Sequence, residues 1–229
     1  MLLLGTACIR IGLDGSYLYY VKSLLRWPLV ASGVVLAGLG VLGVVAAFRQ
    51  APARAHDHGC GEESAHGHVP RVAWLLTLPV FAILLISPGP LGAYAAARDP
   101  GTVARPATDS DFPALPPGDR VPMQVSEYAV RAVWDQGRTL VDRNVALTGF
   151  VSKNPAGGWY LTRIELACCA ADGIATKVEM RDARPMPDDT WVEVVGRWEP
   201  STAADPDDAI AAMRPDSITV VPIPSDPYE

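Results

Sequence analysis

Residues 28–48 read PLVASGVVLAGLGVLGVVAAF, twenty-one positions without a charged side chain. As a helix this stretch is about 31 Å long at ~1.5 Å per residue, close to the ~30 Å hydrocarbon core of a bilayer. It therefore reads as a transmembrane helix, with Lys22, Arg26 and Trp27 at one interface and Arg49 at the other. Within it Gly33, Ala37, Gly40, Gly43 and Ala47 recur at steps of four, three, three and four, which stacks them on one face. Such a seam either admits a partner helix at close range or reflects how common Gly and Ala are in membrane helices.

On the carboxyl side, residues 72–90 form a second predicted span, shortened by Pro79 and by the turn Ser87-Pro88-Gly89-Pro90. On the amino side, residues 1–21 are a marginal span: Leu2-Leu3-Leu4 and Tyr17, Tyr19, Tyr20 favour it, while Arg10 and Asp14 interrupt it. A signal peptide is the rival reading there, but no basic region precedes Leu2 and no small-residue cleavage site is followed by a mature domain. Residues 1–98 thus read as a membrane part with two or three helices. They carry seven basic and four acidic side chains, against twelve and twenty-one in residues 99–229. So acidic a second half argues against nucleic acid as a partner, because phosphate binding needs a basic surface. Lys22, Arg26, Arg98 and Arg105 on one side of the two helices, against Arg49, Arg54 and Arg71 on the other, favour a cytoplasmic soluble domain by the narrowest margin.

All four histidines fall in the connecting loop, residues 54–70, within the run His56-Asp57-His58-Gly59-Cys60-Gly61-Glu62-Glu63-Ser64-Ala65-His66-Gly67-His68. Each H-x-H pair can bring two imidazoles near one point, and Cys60 adds a thiolate between the pairs. Imidazole and thiolate in a tetrahedral shell suit zinc, and copper, nickel and cobalt also accept such donors. A Gly-containing loop loses chain entropy on chelation, so the expected site is one of modest affinity. A solvated connector is the competing reading.

Residues 99–122 hold six prolines together with Asp99, Asp109, Asp111 and Asp119, and read as an extended acidic linker. The remainder, residues 123–229, reads as an all-β domain with one short helix. Ser126 is the expected cap of a helix over residues 127–136, and strands are expected at 145–151, 159–168, 176–180, 191–198 and 217–221. Five strands in about eighty residues fit a small closed barrel of the OB type, with a half-open sandwich as the alternative. The second strand ends in Cys168-Cys169-Ala170-Ala171-Asp172. Neighbours on a strand face opposite sides, so the pattern expects one cysteine buried and the other exposed, and no metal held by both without a local bend. Asp172 either caps the following turn or joins a thiol on a cation. With no histidine in the domain, Ser-His-Asp and Cys-His catalysis are absent, and no enzyme is expected.

Taken in order, the hydrophobic amino-terminal region, the His-rich loop, Pro88-Gly89-Pro90-Leu91-Gly92-Ala93, Cys168-Cys169-Ala170-Ala171-Asp172, Asp189-Thr190-Trp191-Val192-Glu193-Val194-Val195-Gly196 and the tail Asp226-Pro227-Tyr228 resemble the bacterial YcgQ-type permease-subunit family. The resemblance implies a multi-pass protein of the cell membrane that pairs with a multi-pass permease and has a link to zinc homeostasis. The expected metal ligands are His56, His58, Cys60, His66 and His68, with Cys168, Cys169 and Asp172 as further candidates. A membrane-tethered OB-like binding module without a transport role and a thiol redox protein are the alternatives.

Overall fold

The computed structural model describes residues 1–49, 78, 89–106 and 112–229. They divide into two compact units, one containing Met1–Tyr17 and Ser23–Gly89, the other Leu18–Lys22 and Pro90–Glu229. The predicted span at 72–90 lies outside the described residues apart from Leu78, Gly89 and Pro90.

In the first unit, helix α1 (Leu2–Asp14) packs along helix α2 (Arg26–Arg49). Gly15, in the left-handed conformation at φ 87°, ends α1, and the Asp14 carboxylate turns back to accept the Ser16 amide at 2.9 Å. Thirteen residues make a helix of about 20 Å, too short for a bilayer core. The segment over 1–21 is therefore a short helix followed by a turn. By contrast Ser23–Arg49 is long and apolar enough to cross a membrane, and it is the one such helix among the described residues. Gly33, Ala37 and Gly40 of the small-residue seam have a partner within the chain. A Cβ on Gly5 would lie 2.5 Å from the Ala37 nitrogen, one on Gly33 2.9 Å from the Gly5 oxygen, and one on Gly40 2.9 Å from the Leu2 nitrogen. The two backbones touch, which is the packing small residues permit where no water drives apolar association. A Cβ at position 33 would also sit 3.0 Å from Cys8 Cβ. Slightly relaxed, that separation suits a disulfide. Gly33→Cys is accordingly expected to cross-link to Cys8 under mild oxidation, read as loss of maleimide labelling at Cys8; undiminished labelling would rule this helix pairing out.

The second unit is built on a closed five-stranded barrel. Strands β2 (Val145–Lys153), β3 (Trp159–Glu165), β4 (Ile174–Met180), β6 (Ala211–Val220) and β5 (Trp191–Glu199) follow one another round the ring, and β5 pairs back onto β2. The β4–β6 pairing is parallel and the other ring pairings are antiparallel, while a short β1 (Val121–Pro122) adds in parallel to the start of β2. Alternation along β2 explains the closure: Val145, Leu147 and Val151 enter the core with Leu161, Val178 and Val194. Helix α4 (Val125–Val133) closes one part of that core through Val125, Tyr128 and Ala132. Tyr128 is fully buried and donates to the Ala212 carbonyl at 2.7 Å, and burial holds its phenol protonated.

Three local expectations need correction. Ser126 does not cap α4: it lies inside the first turn, and the Glu229 carboxylate takes the amides of Val125 at 2.8 Å and Ser126 at 3.0 Å. A carboxylate at a helix amino terminus also meets the favourable end of the dipole. Strand β6 begins six residues earlier than expected, despite Pro215. A bulge between Val195 and Gly196 sets Gly196 opposite Pro215, where no side chain would fit. Finally, the described part of 99–122 is Pro-rich but docked. Val103 is buried, Trp134 Nε1 donates to its carbonyl at 3.2 Å, Arg131 donates to the Pro113 carbonyl at 2.9 Å, and the Asp99 carboxylate accepts the Ala175 amide at 3.0 Å.

A smaller apolar cluster joins Phe150, Ile164, Leu166 and Trp191 to helix α3 (Ala93–Ala96) and to Tyr228. Asp189 Oδ1 accepts the Ala93 amide at 2.6 Å, and the Tyr228 phenol accepts the Leu91 amide at 2.8 Å. The segment entering the unit and the tail ending the sequence are thus fixed to the barrel together.

Candidate functional site

Strand β3 stops at Glu165, three residues short of the expected end, because competing acceptors take over its amides. Leu166 donates to the Glu229 carbonyl at 3.2 Å. Beyond it the Asp172 carboxylate receives three amides, from Ala167 at 2.9 Å, Cys168 at 2.8 Å and Cys169 at 3.2 Å. Cys169 caps a single 3₁₀ turn, Ala170–Asp172, in a reciprocal capping box: Asp172 is the third residue of the turn and its side chain reaches back to the cap amide. The chain bends sharply there, and the opposite-face rule for strands no longer applies.

Neither cysteine of the pair is in the core, then. Cys168 is exposed and Cys169 half-buried, which corrects the expectation of one buried thiol. The bend gathers the ligand atoms of Cys168, Cys169 and Asp172 within 4.8 Å of one another. Zinc bonds sulfur at ~2.3 Å, so tetrahedral sulfur ligands stand about 3.8 Å apart. Contraction by about an ångström would close this triad on one ion, so the donor set fits. Two thiols and one carboxylate would leave a fourth position open, unlike a closed four-ligand structural site.

Electrostatics oppose the use of Cys168 as a nucleophile. The hydrogen bond from Cys168 and the three amides hold the Asp172 carboxyl down at about 2. Conversely, the hydrogen bond to Asp172, then that to Cys169, pushes the Cys168 thiol up to about 11. At neutral pH the carboxylate is ionised and Cys168 protonated, whereas reactive cysteines have depressed values. A bound cation would replace the proton as partner of the carboxylate.

A second segment completes the loop's surroundings. Val21 forms an antiparallel bridge with Cys169, Lys22 donates its amide to the Cys168 carbonyl at 3.2 Å, and Ala170 donates to the Tyr20 carbonyl at 2.8 Å. Just before it, the Tyr19 carbonyl accepts the Tyr228 hydroxyl at 3.0 Å. Sequence reading missed this pairing, since nothing local marks residues 18–22 as a strand partner. The spacing Cys169-x-x-Asp172 was a usable sign of the turn, being that of a capping box.

Residues 128–229 match the family model of the DUF1980 C-terminal domain. The match spans the five barrel strands and the Cys168–Asp172 turn, and it supports the YcgQ-type resemblance over this DUF1980-like domain. No curated protein and no solved structure matches the chain. His56, His58, Cys60, His66 and His68 lie outside the described residues.

Elsewhere in the second unit a cleft of about 630 Å³ is lined by Met123, Glu127, Thr148, Arg163, Glu193 and Glu229 among others. Arg163 stacks on Trp191, 4.9 Å from its ring centre, and donates to the carbonyls of Asp226 at 3.0 Å and Tyr228 at 3.3 Å. These contacts of Nη2 and the ring tie the tail to the barrel.

Proposed function

We propose that this protein is a membrane-anchored accessory subunit of a multi-pass permease in the bacterial cell membrane and handles a transition metal, zinc first. The convergence of Cys168, Cys169 and Asp172 carries the reading. An exposed, three-donor site suits receipt and release of an ion better than its retention. The Ser23–Arg49 helix supplies the anchor, and the uncharged sequence at 72–90 is proposed as a further span. His56, His58, Cys60, His66 and His68 act as a collecting loop of modest affinity on the same cargo. The ring order, in which the third barrel strand pairs in parallel with the last, agrees with an OB-type barrel used as a binding module.

Two measurements test the proposal. Tagged full-length protein purified from membranes should bring down a multi-pass permease. Cells carrying Cys168→Ser with Cys169→Ser should grow like a deletion strain under zinc limitation or excess, although the variant protein is still inserted. Full complementation by that variant would discard the metal role of this site, and repeated purification without a permease would discard the subunit role.

A further inference from the structure

The backbone that holds the three donors also holds the segment leading into the candidate membrane helix. Residues 168–170 direct two amides, those of Cys168 and Cys169, to Asp172 Oδ2. The same residues direct the Cys168 carbonyl and the Ala170 amide to Lys22 and Tyr20. Lys22 is the last residue of the paired segment Leu18–Lys22, and the candidate span begins at the next residue, Ser23. The backbone groups of Cys168 and Cys169 and the Ala170 amide cannot move without disturbing one set of bonds or the other.

From this we propose that metal occupancy of the Cys168–Cys169–Asp172 loop is coupled to the pairing of Leu18–Lys22, so that the loop reports its loading to the chain entering the membrane helix. The inference rests on the metal reading of the site given above. The loop is a short turn held by hydrogen bonds alone, so its opening breaks the pairing with Leu18–Lys22 as well. Joining its three donors through one cation removes those open states. Its edge then stays available to Tyr20 and Lys22, and the pairing tightens. By linkage, whatever the ion contributes to the pairing, the pairing contributes equally to ion affinity. The Tyr228 hydroxyl on the Tyr19 carbonyl secures the other end of the segment.

The test uses the full chain in detergent with zinc sulfate as the probe. Saturating zinc should slow amide hydrogen exchange in a peptide covering residues 18–23 by about fivefold or more, the lower range of typical coupling energies. Lys22→Pro deletes the amide donated to Cys168 without touching a ligand, and proline at 22 favours the extended conformation a bridging Val21 needs. In that variant, the zinc concentration that half-protects Cys168 from maleimide should rise by the same factor. If zinc protects both thiols while exchange at 18–23 and the half-protection concentration stay put, the coupling is wrong and the metal site stands. If zinc protects neither thiol, the metal site falls and the coupling with it.

Discussion

Asp172→Asn is expected to speed alkylation of Cys168 about tenfold at neutral pH. The ionised carboxylate is the first cause of the raised Cys168 value, about 11 against an ordinary 9.0. Returning the thiol to its ordinary range multiplies the thiolate fraction about a hundredfold, but a less basic thiolate attacks more slowly, with a Brønsted slope of about 0.4–0.5, which leaves about tenfold. In the wild-type protein the Cys168 rate should climb with pH until about 11 and level off there. Residue-resolved mass spectrometry after timed maleimide pulses reads both effects. A Cys168 that labels fast at neutral pH in the wild type, with no response to Asp172→Asn, would contradict the hydrogen-bonded thiol and revive a redox role. The same substitution removes one donor and should weaken zinc protection of both cysteines.

Gly196→Val should destabilise the DUF1980-like domain by about 3 kcal/mol, at the upper end of overpacking costs. A Cβ at this position would lie 2.4 Å from the Arg214 oxygen and 2.9 Å from Pro215 Cα, both of them backbone atoms that no rotamer change can move. Relief requires β6 to separate from β5 at the bulge, and with it the closure of the ring. Urea unfolding of the full chain, followed by far-ultraviolet circular dichroism and tryptophan fluorescence, gives the comparison. An unchanged midpoint would show that the β5–β6 register is not as described.

How much was legible beforehand differs from element to element. Four of the five barrel strands lie where alternation placed them, within a few residues at either end, because core-facing residues such as Val145, Leu147 and Val151 on β2 recur at the period of a strand. The fifth begins six residues before the expected 217, running through Pro215, which sits opposite Gly196 at the bulge. The seam of Gly33, Ala37 and Gly40 was visible as a close-packing face, but not its partner, since the contact with Gly5 joins helices separated by a turn. At the thiol loop the ligands themselves were in view and their arrangement was not. A strand ending at Cys168 would have separated the two sulfurs.

The sequence by itself determined the acidic and apolar halves, a membrane-length helix, the approximate places of the barrel strands and the chemical character of the donors. These follow from side-chain type and from periods of 2 and 3.6 residues, which are local. Tertiary structure alone decided where β3 ends, what caps α4 and what borders the cysteines. In each case the outcome turned on competition for backbone hydrogen bonds, won by groups remote in sequence or off the ladder: the Glu229 carbonyl and carboxylate, the Asp172 carboxylate and the Tyr20 carbonyl. A buried or half-buried amide must find an acceptor, and which acceptor is within reach is fixed only once the barrel has closed.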